Sequence, residues 1–190
     1  PKNLQNAYVA IEDERFYEHK GIDFKRTGGA IFKYIMSRGN ASFGGSTITQ
    51  QLVKNLTQEK ERTGFAGILR KVKEWAKAYQ IERMISKDQI LELYFNIIFV
   101  GGNNNNLGVE VGSEYYFNKS AKDLDLAECA FLAGINNSPN KYNPYDESNQ
   151  DKIKTRTKTV LGKMLELGYI SQEEYDGAVA KVDEGLHFEQ

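Results

Sequence analysis

Residues 44–55, with the sequence GGSTITQQLVKN, carry side chains suited to holding an anion at the start of a helix. The first four N–H groups of a helix have no partner within it and lie at the positive end of its dipole. Because two glycines and Ser46 precede the helical pattern, an anion such as a phosphate can approach those groups closely. Thr47, Gln50 and Lys54 recur at helical spacing and predict a polar stripe. The other stripe is apolar: Ile48, Leu52 and Leu56. A capped surface helix is the alternative interpretation.

A carboxylate among cations follows in residues 70–82, RKVKEWAKAYQIE. Three apolar residues at helical spacing predict a buried stripe: Val72, Trp75 and Tyr79. This pattern places Glu74 on the polar side of the helix, with Arg70 four residues before it, Lys71 three before it and Lys77 three after it. The cations form a local basic cluster: Arg62, Arg70, Lys71 and Lys73. The alternative is an ordinary solvated charged face.

A second acidic site lies in residues 11–23, IEDERFYEHKGID. Glu12 and Asp13 directly follow an apolar stripe, and Phe16 comes one turn later, so Glu12 is placed at the edge of the buried face. Burial raises the pKa of a carboxyl group, and a carboxylate of that kind can act as a general base near neutral pH. The alternative is an ordinary acidic pair beside a His19 that packs against the helix or caps its end.

The helix predicted after Asp23 has an apolar side wider than a surface helix needs. Ile31, Phe32, Tyr34, Ile35 and Met36 spread over about 200° of its circumference, against the ~100° that faces a core. Something besides the core must therefore bury part of this surface. The two candidates are a neighbouring helix and a membrane surface, at which basic side chains would meet the headgroups. Those basic residues are Lys25, Arg26, Lys33 and Arg38.

The chain has 190 residues, with 25 Lys and Arg against 26 Asp and Glu and a net charge of −1. This length predicts one domain, and the balanced charge gives no global field that would attract nucleic acid. Cys129, the only cysteine of the sequence, excludes an internal disulfide and is predicted to lie in the core. No stretch approaches the roughly 20 apolar residues of a membrane span. The first residue, Pro1, favours a piece of a longer protein.

The hydrophobic periodicity predicts an all-α fold. The first four predicted helices cover residues 3–20 ending at Gly21, a segment capped by Asp23 and running to Gly39, a segment capped by Ser46, and residues 67–84. Ser86 and Gln89 predict a capping box ahead of a largely apolar, central helix. Further helices are predicted over residues 123–135, 148–167 and 172–182.

Five segments of the sequence resemble, in order, the motifs of the peptidoglycan glycosyltransferases of family 51. They are EDERFYEHKGID, GGSTITQQLVKN, RKVKE, ILELYFNIIFVGG with GVEVGSEYYF, and DLAECAFLAGINNSPNKYNP. The family comprises monofunctional enzymes and the first domain of bifunctional penicillin-binding proteins. The resemblance implies an all-α, lysozyme-like fold of two lobes, of which the smaller dips into the membrane. It also implies that residues 1–190 form one glycosyltransferase domain, with residues 183–190 beginning a linker to a further domain.

The activity implied by the resemblance is polymerisation of lipid II at the extracytoplasmic face of the bacterial cell membrane. The 4-hydroxyl of an acceptor lipid II attacks the anomeric carbon of a lipid-linked glycan, with inversion and release of undecaprenyl pyrophosphate. The implied partners are lipid II, the growing glycan, the membrane surface and other cell-wall synthesis proteins, without nucleic acid.

Residue roles follow from the same resemblance. Glu12 resembles the base that deprotonates the acceptor hydroxyl, and Glu74 resembles a second glutamate that organises nearby cations and a divalent metal, Mg or Mn. The positions that resemble substrate ligands are Asp13, Ser46, Gln50, Gln51, Lys54, Arg62, Arg70, Lys73 and Asn137. The positions that fall in the membrane-dipping lobe are Phe24, Ile31, Phe32, Ile35 and Met36.

Two other functions fit part of the sequence. A lysozyme-like hydrolase would share the early catalytic glutamate, but hydrolysis needs a protonated acid beside the scissile oxygen and no phosphate site, so Lys54 and Arg62 count against it. The second is a non-catalytic module that binds lipid II at the membrane and recruits partners.

Overall fold

The computed structural model of the chain describes residues 1–37, 45–57, 64–102, 106–136 and 138–189. Within these ranges the regular secondary structure is helical apart from one short antiparallel hairpin. The helices are α1 (Lys2–Glu12), α2 (Phe24–Met36), α3 (Ile48–Thr57), α4 (Gly64–Met84), α5 (Lys87–Ile97), α6 (Val109–Phe117), α7 (Leu126–Ile135), α8 (Gln150–Glu166) and α9 (Gln172–Glu184). The strands are β1 (Phe99–Gly101) and β2 (Asn106–Leu107). The predicted all-α class is confirmed, whereas the hairpin and α6 had no counterpart in the prediction.

The chain divides into two compact units, one of residues 1–14 with 95–190 and one of residues 15–94. In the first unit α7 is the central element, because α1, α6, α8 and α9 all pack against it and its residues 127–135 are all buried. A capping box of Asp125 and Glu128 begins α7. Cys129 is buried as predicted, and burial raises the pKa of its thiol to about 12.

The residues after α9 pack on an aromatic cluster of the first unit. The ring centroid of Phe188 lies 4.9 Å from that of Phe131 and 5.4 Å from that of Phe117. The backbone N–H of Glu189 donates to the carbonyl of Tyr116 at 2.9 Å. This tail therefore contributes side-chain and backbone contacts to the unit, and the assignment of residues 183–190 to a linker stays a prediction.

The first helix ends earlier than predicted. Helix α1 stops at Glu12 because Asp13 adopts φ −158° and ψ 74°, outside the helical region, and turns follow to Gly21. Gly21 has φ +101°, and a Cβ at this position would lie 2.8 Å from the carbonyl carbon of Ala78. Only glycine allows both this backbone conformation and this close approach to α4.

In the second unit, two predicted helix caps are confirmed. Asp23 accepts a hydrogen bond from the N–H of Arg26 at the start of α2, and Ser86 and Gln89 form the predicted box before α5. The predicted cap of α3 by Ser46 is wrong. Thr47 takes that position: its hydroxyl accepts from the N–H of Gln50 at 3.1 Å, and the Gln50 amide oxygen accepts from the N–H of Thr47 at 3.0 Å. A capping box needs Glu or Gln three residues after the cap, and only Thr47 has one.

Removal of this cap tests its contribution. Replacing Thr47 with alanine is expected to lower the free energy of unfolding by about 1–2 kcal/mol, because the hydroxyl also donates to the carbonyl of Gly21. Replacement with serine keeps the hydroxyl and is expected to cost less. Urea denaturation of the two variants and the parent measures the difference. Equal stability of the alanine variant and the parent would contradict the assignment.

Helix α4 buries a different side from the one predicted, rotated by about 100°. Its buried residues are Lys71, Glu74 and Ala78, whereas Val72 is 49% exposed and Tyr79 is 46% exposed. Trp75 is only partly buried. Periodicity identifies the two faces of a helix, but the partner decides which face is covered. Here the partner is α3, which presents polar side chains to α4.

Helix α3 and the residue that caps it also bury part of the predicted polar stripe. Thr47 and Gln50, predicted to form an accessible polar stripe, are fully buried. Ile48 and Leu52 are buried as their apolar spacing predicts, but Leu56 is exposed in the last turn. Polar groups are thus enclosed where α3 meets α4, an arrangement that needs hydrogen-bond partners for each of them.

Helix α2 is almost entirely uncovered in the structure. Of its residues only Thr27 is buried, and four are partly buried: Arg26, Ala30, Ile31 and Tyr34. Its large apolar side chains are exposed: Phe24, Phe32, Ile35 and Met36. Helix α4 adds further exposed apolar residues: Phe65, Ile68, Leu69, Val72 and Met84. No helix of the described residues is long and apolar enough to cross a membrane.

Candidate active site

Glu74 is the centre of a buried charge cluster in the second unit. The guanidinium of Arg70 donates from Nη1 to one carboxylate oxygen at 2.7 Å, and Nζ of Lys71 donates to the other at 3.0 Å. Lys71 also donates to the hydroxyl of Ser46, just before α3. The spacing prediction that Glu74 meets Arg70 and Lys71 is confirmed. Two cations and one carboxylate leave this cluster with a net positive charge.

Gln50 and Gln51 lie beside the start of α3. The amide oxygen of Gln50 accepts from Thr47, while its amide nitrogen is buried and makes no hydrogen bond in the described part of the chain. Nε of Arg70 is a second buried donor of this kind. Gln51 donates to the carbonyl of Ser46 at 3.4 Å and accepts from the hydroxyl of Tyr94 at 3.0 Å. Buried donors without acceptors are costly, so these two nitrogens suit a ligand rich in oxygen acceptors.

The other predicted substrate ligands differ in placement. Lys54 is partly buried in the last turn of α3. Lys73 is exposed, and Lys71 takes the place beside Glu74 that the resemblance implied for Lys73. Arg62 and Asn137 lie outside the described residues. Lys71 was visible in the sequence as a cation three residues before Glu74, but without the structure nothing distinguished it from its neighbours.

The carboxylate of Glu74 already has two cationic partners. Each of the two carboxylate oxygens already accepts a hydrogen bond from a cation. Within the described ranges no group of three or more His, Cys, Asp or Glu side chains could hold a metal ion. The pairing of Glu74 with Arg70 and Lys71 is observed, and a divalent metal at Glu74, Mg or Mn, stays a prediction.

Glu12 is the last residue of α1 in the first unit and is 4% exposed. The neighbouring Asp13 is also buried. Burial and the negative end of the helix dipole both make a carboxylate a stronger base than it is in water. Tyr8 lies one turn before Glu12: burial, with a smaller contribution from the Glu12 carboxylate, raises the pKa of its hydroxyl well above the usual value. This hydroxyl donates to the carbonyl of Leu132 in α7 at 3.2 Å.

His19 has a packing role within the second unit. Its Nδ1 accepts from the N–H of Gly21 at 3.0 Å, and its carbonyl accepts from Nζ of Lys87 at 2.7 Å. The same ammonium lies 4.5 Å from the ring centroid of Phe16 and is paired with Glu82. These contacts fix the turn before Gly21 and support the packing interpretation of His19.

Comparison with known proteins identifies the family of the chain. The family model described as Transglycosylase matches residues 1–165, and the chain belongs to this family. Penicillin-binding protein 1A of Clostridium botulinum strain Langeland is 49% identical over 189 residues, which are 96% of this chain and 22% of the relative. Penicillin-binding protein 1F of Bacillus subtilis strain 168 is 45% identical over 174 residues, 92% of this chain and 23% of the relative.

Among solved structures, the crystal structure of penicillin-binding protein 1A from Haemophilus influenzae is 30% identical, with a TM-score of 0.48. The match covers 74% of this chain and 17% of that one. The chain thus spans less than a quarter of the length of these relatives. The family predicted from the five sequence motifs is confirmed.

Proposed function

We propose that this chain polymerises lipid II into β-1,4-linked glycan strands with inversion at the anomeric carbon. The observation that carries the proposal is the buried cluster of Ser46, Arg70, Lys71 and Glu74, with the open donor of Gln50 beside it. Its positive charge and its N–H donors, which can bond to phosphate oxygens, suit a pyrophosphate. Membership of the transglycosylase family supplies the reaction class in which a lipid pyrophosphate leaves.

In this reaction Glu12 is the general base. It takes the proton from the 4-hydroxyl of the acceptor as the oxygen attacks the anomeric carbon of the donor. The bond from that carbon to the pyrophosphate oxygen breaks, and both electrons leave with undecaprenyl pyrophosphate. Because pyrophosphate is a good leaving group once its charge is balanced, cations are sufficient and a strong general acid is not needed.

The leaving group is held by residues of the second unit. Lys71 and Arg70 contribute the positive charge, and Glu74 keeps their side chains in place. Further polar groups come from the start and one side of α3: Ser46, Gln50, Gln51 and Lys54. The family resemblance adds four proposed ligands: Asp13, Arg62, Lys73 and Asn137.

Incubation of the protein with lipid II alone tests the proposal. We expect long glycan strands and free undecaprenyl pyrophosphate, separated by gel electrophoresis and thin-layer chromatography. Cleavage of finished glycan without polymer would instead indicate a hydrolase. Binding of lipid II without any turnover would indicate a non-catalytic module.

We further propose that the exposed apolar side of α2, with that of α4, contacts the extracytoplasmic face of the cell membrane, where lipid II is taken up. The large apolar side chains of α2 are exposed in the described structure, so no neighbouring helix there accounts for them. Lys25 and Lys33 of α2 are also exposed and suit anionic headgroups. The predicted contact residues are Phe24, Ile31, Phe32, Ile35 and Met36.

Substitution within this surface separates membrane binding from folding. Phe32 is 64% exposed and Ile35 is 66% exposed, so replacing either with serine is expected to change the free energy of unfolding by less than about 0.5 kcal/mol. Sedimentation with anionic vesicles is expected to fall several-fold, since the lost apolar contact contributes about 1–2 kcal/mol. Phe16→Ser, in the buried core of the same unit, is the contrasting control and should unfold the protein. A large stability loss for Phe32→Ser would assign this side chain to the core.

A further inference from the structure

A groove in the first unit carries positive charge that the proposed reaction does not use. Its volume is about 480 Å³, and it is formed by the segment after α7 and one face of α8. Its charged side chains are Lys141, Asp151, Lys152 and Arg156. Three cations against one carboxylate make the groove basic, although the whole chain has a net charge of −1.

Arg156 is held in a fixed position in this groove. Its Nε donates to the carbonyl of Gly134 near the end of α7 at 2.8 Å. A Cβ on Gly134 would lie 3.1 Å from Cγ of Arg156, so the lack of a side chain at this position leaves space for the arginine side chain. Nε uses one of the five guanidinium N–H donors and leaves four for other acceptors. A guanidinium fixed in this way is prepared to bind a carboxylate without first being ordered.

The two lysines complete the charge of the groove. Nζ of Lys141 lies 5.3 Å from the ring centroid of Tyr142. Lys152 contributes to the lowered pKa of the exposed Asp146, for which hydrogen bonds from Ser148 are the larger cause. The ion pairs of the first unit involve other lysines. Among the described residues, no carboxylate lies within salt-bridge distance of Lys141, Lys152 or Arg156. The positive charge of the groove is therefore available to a ligand.

We propose that this groove binds the carboxylates of the stem peptide that the glycan substrate carries, an inference that rests on the proposed function. The sugars of the substrate are neutral, and its pyrophosphate is assigned to the second unit. The remaining anionic groups are the carboxylates of the peptide. An arginine and two lysines match several carboxylates on one flexible chain, and the hydroxyls of Tyr142 and Thr155 can bond to its backbone. An open groove also lets successive stems enter and leave as the strand grows.

A double variant with two substrates tests the inference. Lys141→Ala with Lys152→Ala is expected to raise the KM for lipid II about tenfold, because charge-assisted bonds to two carboxylates are lost, while kcat stays within about twofold. With lipid II whose stem carboxylates are amidated, parent and variant are expected to have the same KM. Lys122→Ala, an exposed lysine of the same unit away from the groove, is the control and should match the parent on both substrates. An equal change on both substrates, or no change on either, overturns the inference.

Two further measurements separate the possible outcomes. Titration of the free stem pentapeptide, followed by NMR, should shift the signals of Tyr142 and Thr155 in the parent and not in the double variant. If the parent makes no polymer but still binds the peptide, the proposed function fails and the groove assignment stands. If the double variant instead loses binding to anionic vesicles, and the peptide gives no shift, the groove serves lipid headgroups and the inference is overturned.

Discussion

Replacing Glu12 with glutamine is expected to reduce the rate of glycan polymerisation at least about 100-fold, since a positioned general base contributes factors of about 10² to 10⁴. The substitution keeps the size of the side chain and removes its ability to take the acceptor proton. Binding of lipid II should persist, because the pyrophosphate ligands belong to other residues. Single-turnover polymerisation and equilibrium binding of lipid II measure the two effects separately.

Glu14→Gln is the matched control for this variant. Glu14 lies two residues later in the same unit, and its carboxylate is paired with Lys163 at 3.0 Å near the surface. Loss of this ion pair is expected to change the rate by less than about twofold, because partly exposed pairs contribute only about 0–1 kcal/mol. Polymerisation by Glu12→Gln at the parent rate would remove Glu12 from the mechanism.

Replacing Lys71 with methionine is expected to lower the free energy of unfolding by about 3 kcal/mol and to reduce polymerisation strongly. The variant leaves Glu74 buried with one cation in place of two, and it removes the hydrogen bond that Lys71 donates to the hydroxyl of Ser46. Breaking a buried ion pair by removing one partner is costly because the remaining charge stays out of water. Chemical denaturation measures the stability, and polymerisation is assayed well below the melting temperature so that both proteins are folded.

Lys73→Met provides the comparison on the same helix. Lys73 is exposed two residues further along α4, so its replacement is expected to change stability by less than about 0.5 kcal/mol. The resemblance alone would assign the larger effect to Lys73. If Lys71→Met proved neutral while Lys73→Met inactivated the protein, the cluster built around Glu74 would not be the pyrophosphate site.

The helical class, most helix positions and the family could be predicted from the sequence because they depend on local patterns. Asp23, Ser86 and Ser171 cap helices through side chains that lie within three residues of their partners, so short sequence windows contain the whole signal. Helix α6 and the hairpin before it were missed. The strands are two and three residues long, too short to show alternation.

The side of a helix that is buried could not be predicted in the same way. In α4 the apolar stripe was expected inside, but Lys71 and Glu74 are buried. Their burial is possible because they pair with each other and the hydroxyl of Ser46 accepts a hydrogen bond from Lys71. This information belongs to the partner and is remote in sequence: Ser46 and Lys71 are 25 residues apart. Tertiary context therefore outweighed hydrophobicity at the position where the proposed pyrophosphate ligands gather, which is where such conflicts are expected.

Helix α4 buries two ionic side chains, Lys71 and Glu74, while several of its apolar side chains are exposed. Replacing the exposed apolar side chains, such as Ile68 or Val72, would therefore change how the protein partitions between buffer and lipid. The buried charges of Lys71 and Glu74 would be little affected. The exposed apolar residues and the buried charged residues lie on different sides of one helix, so each set can be substituted without changing the other.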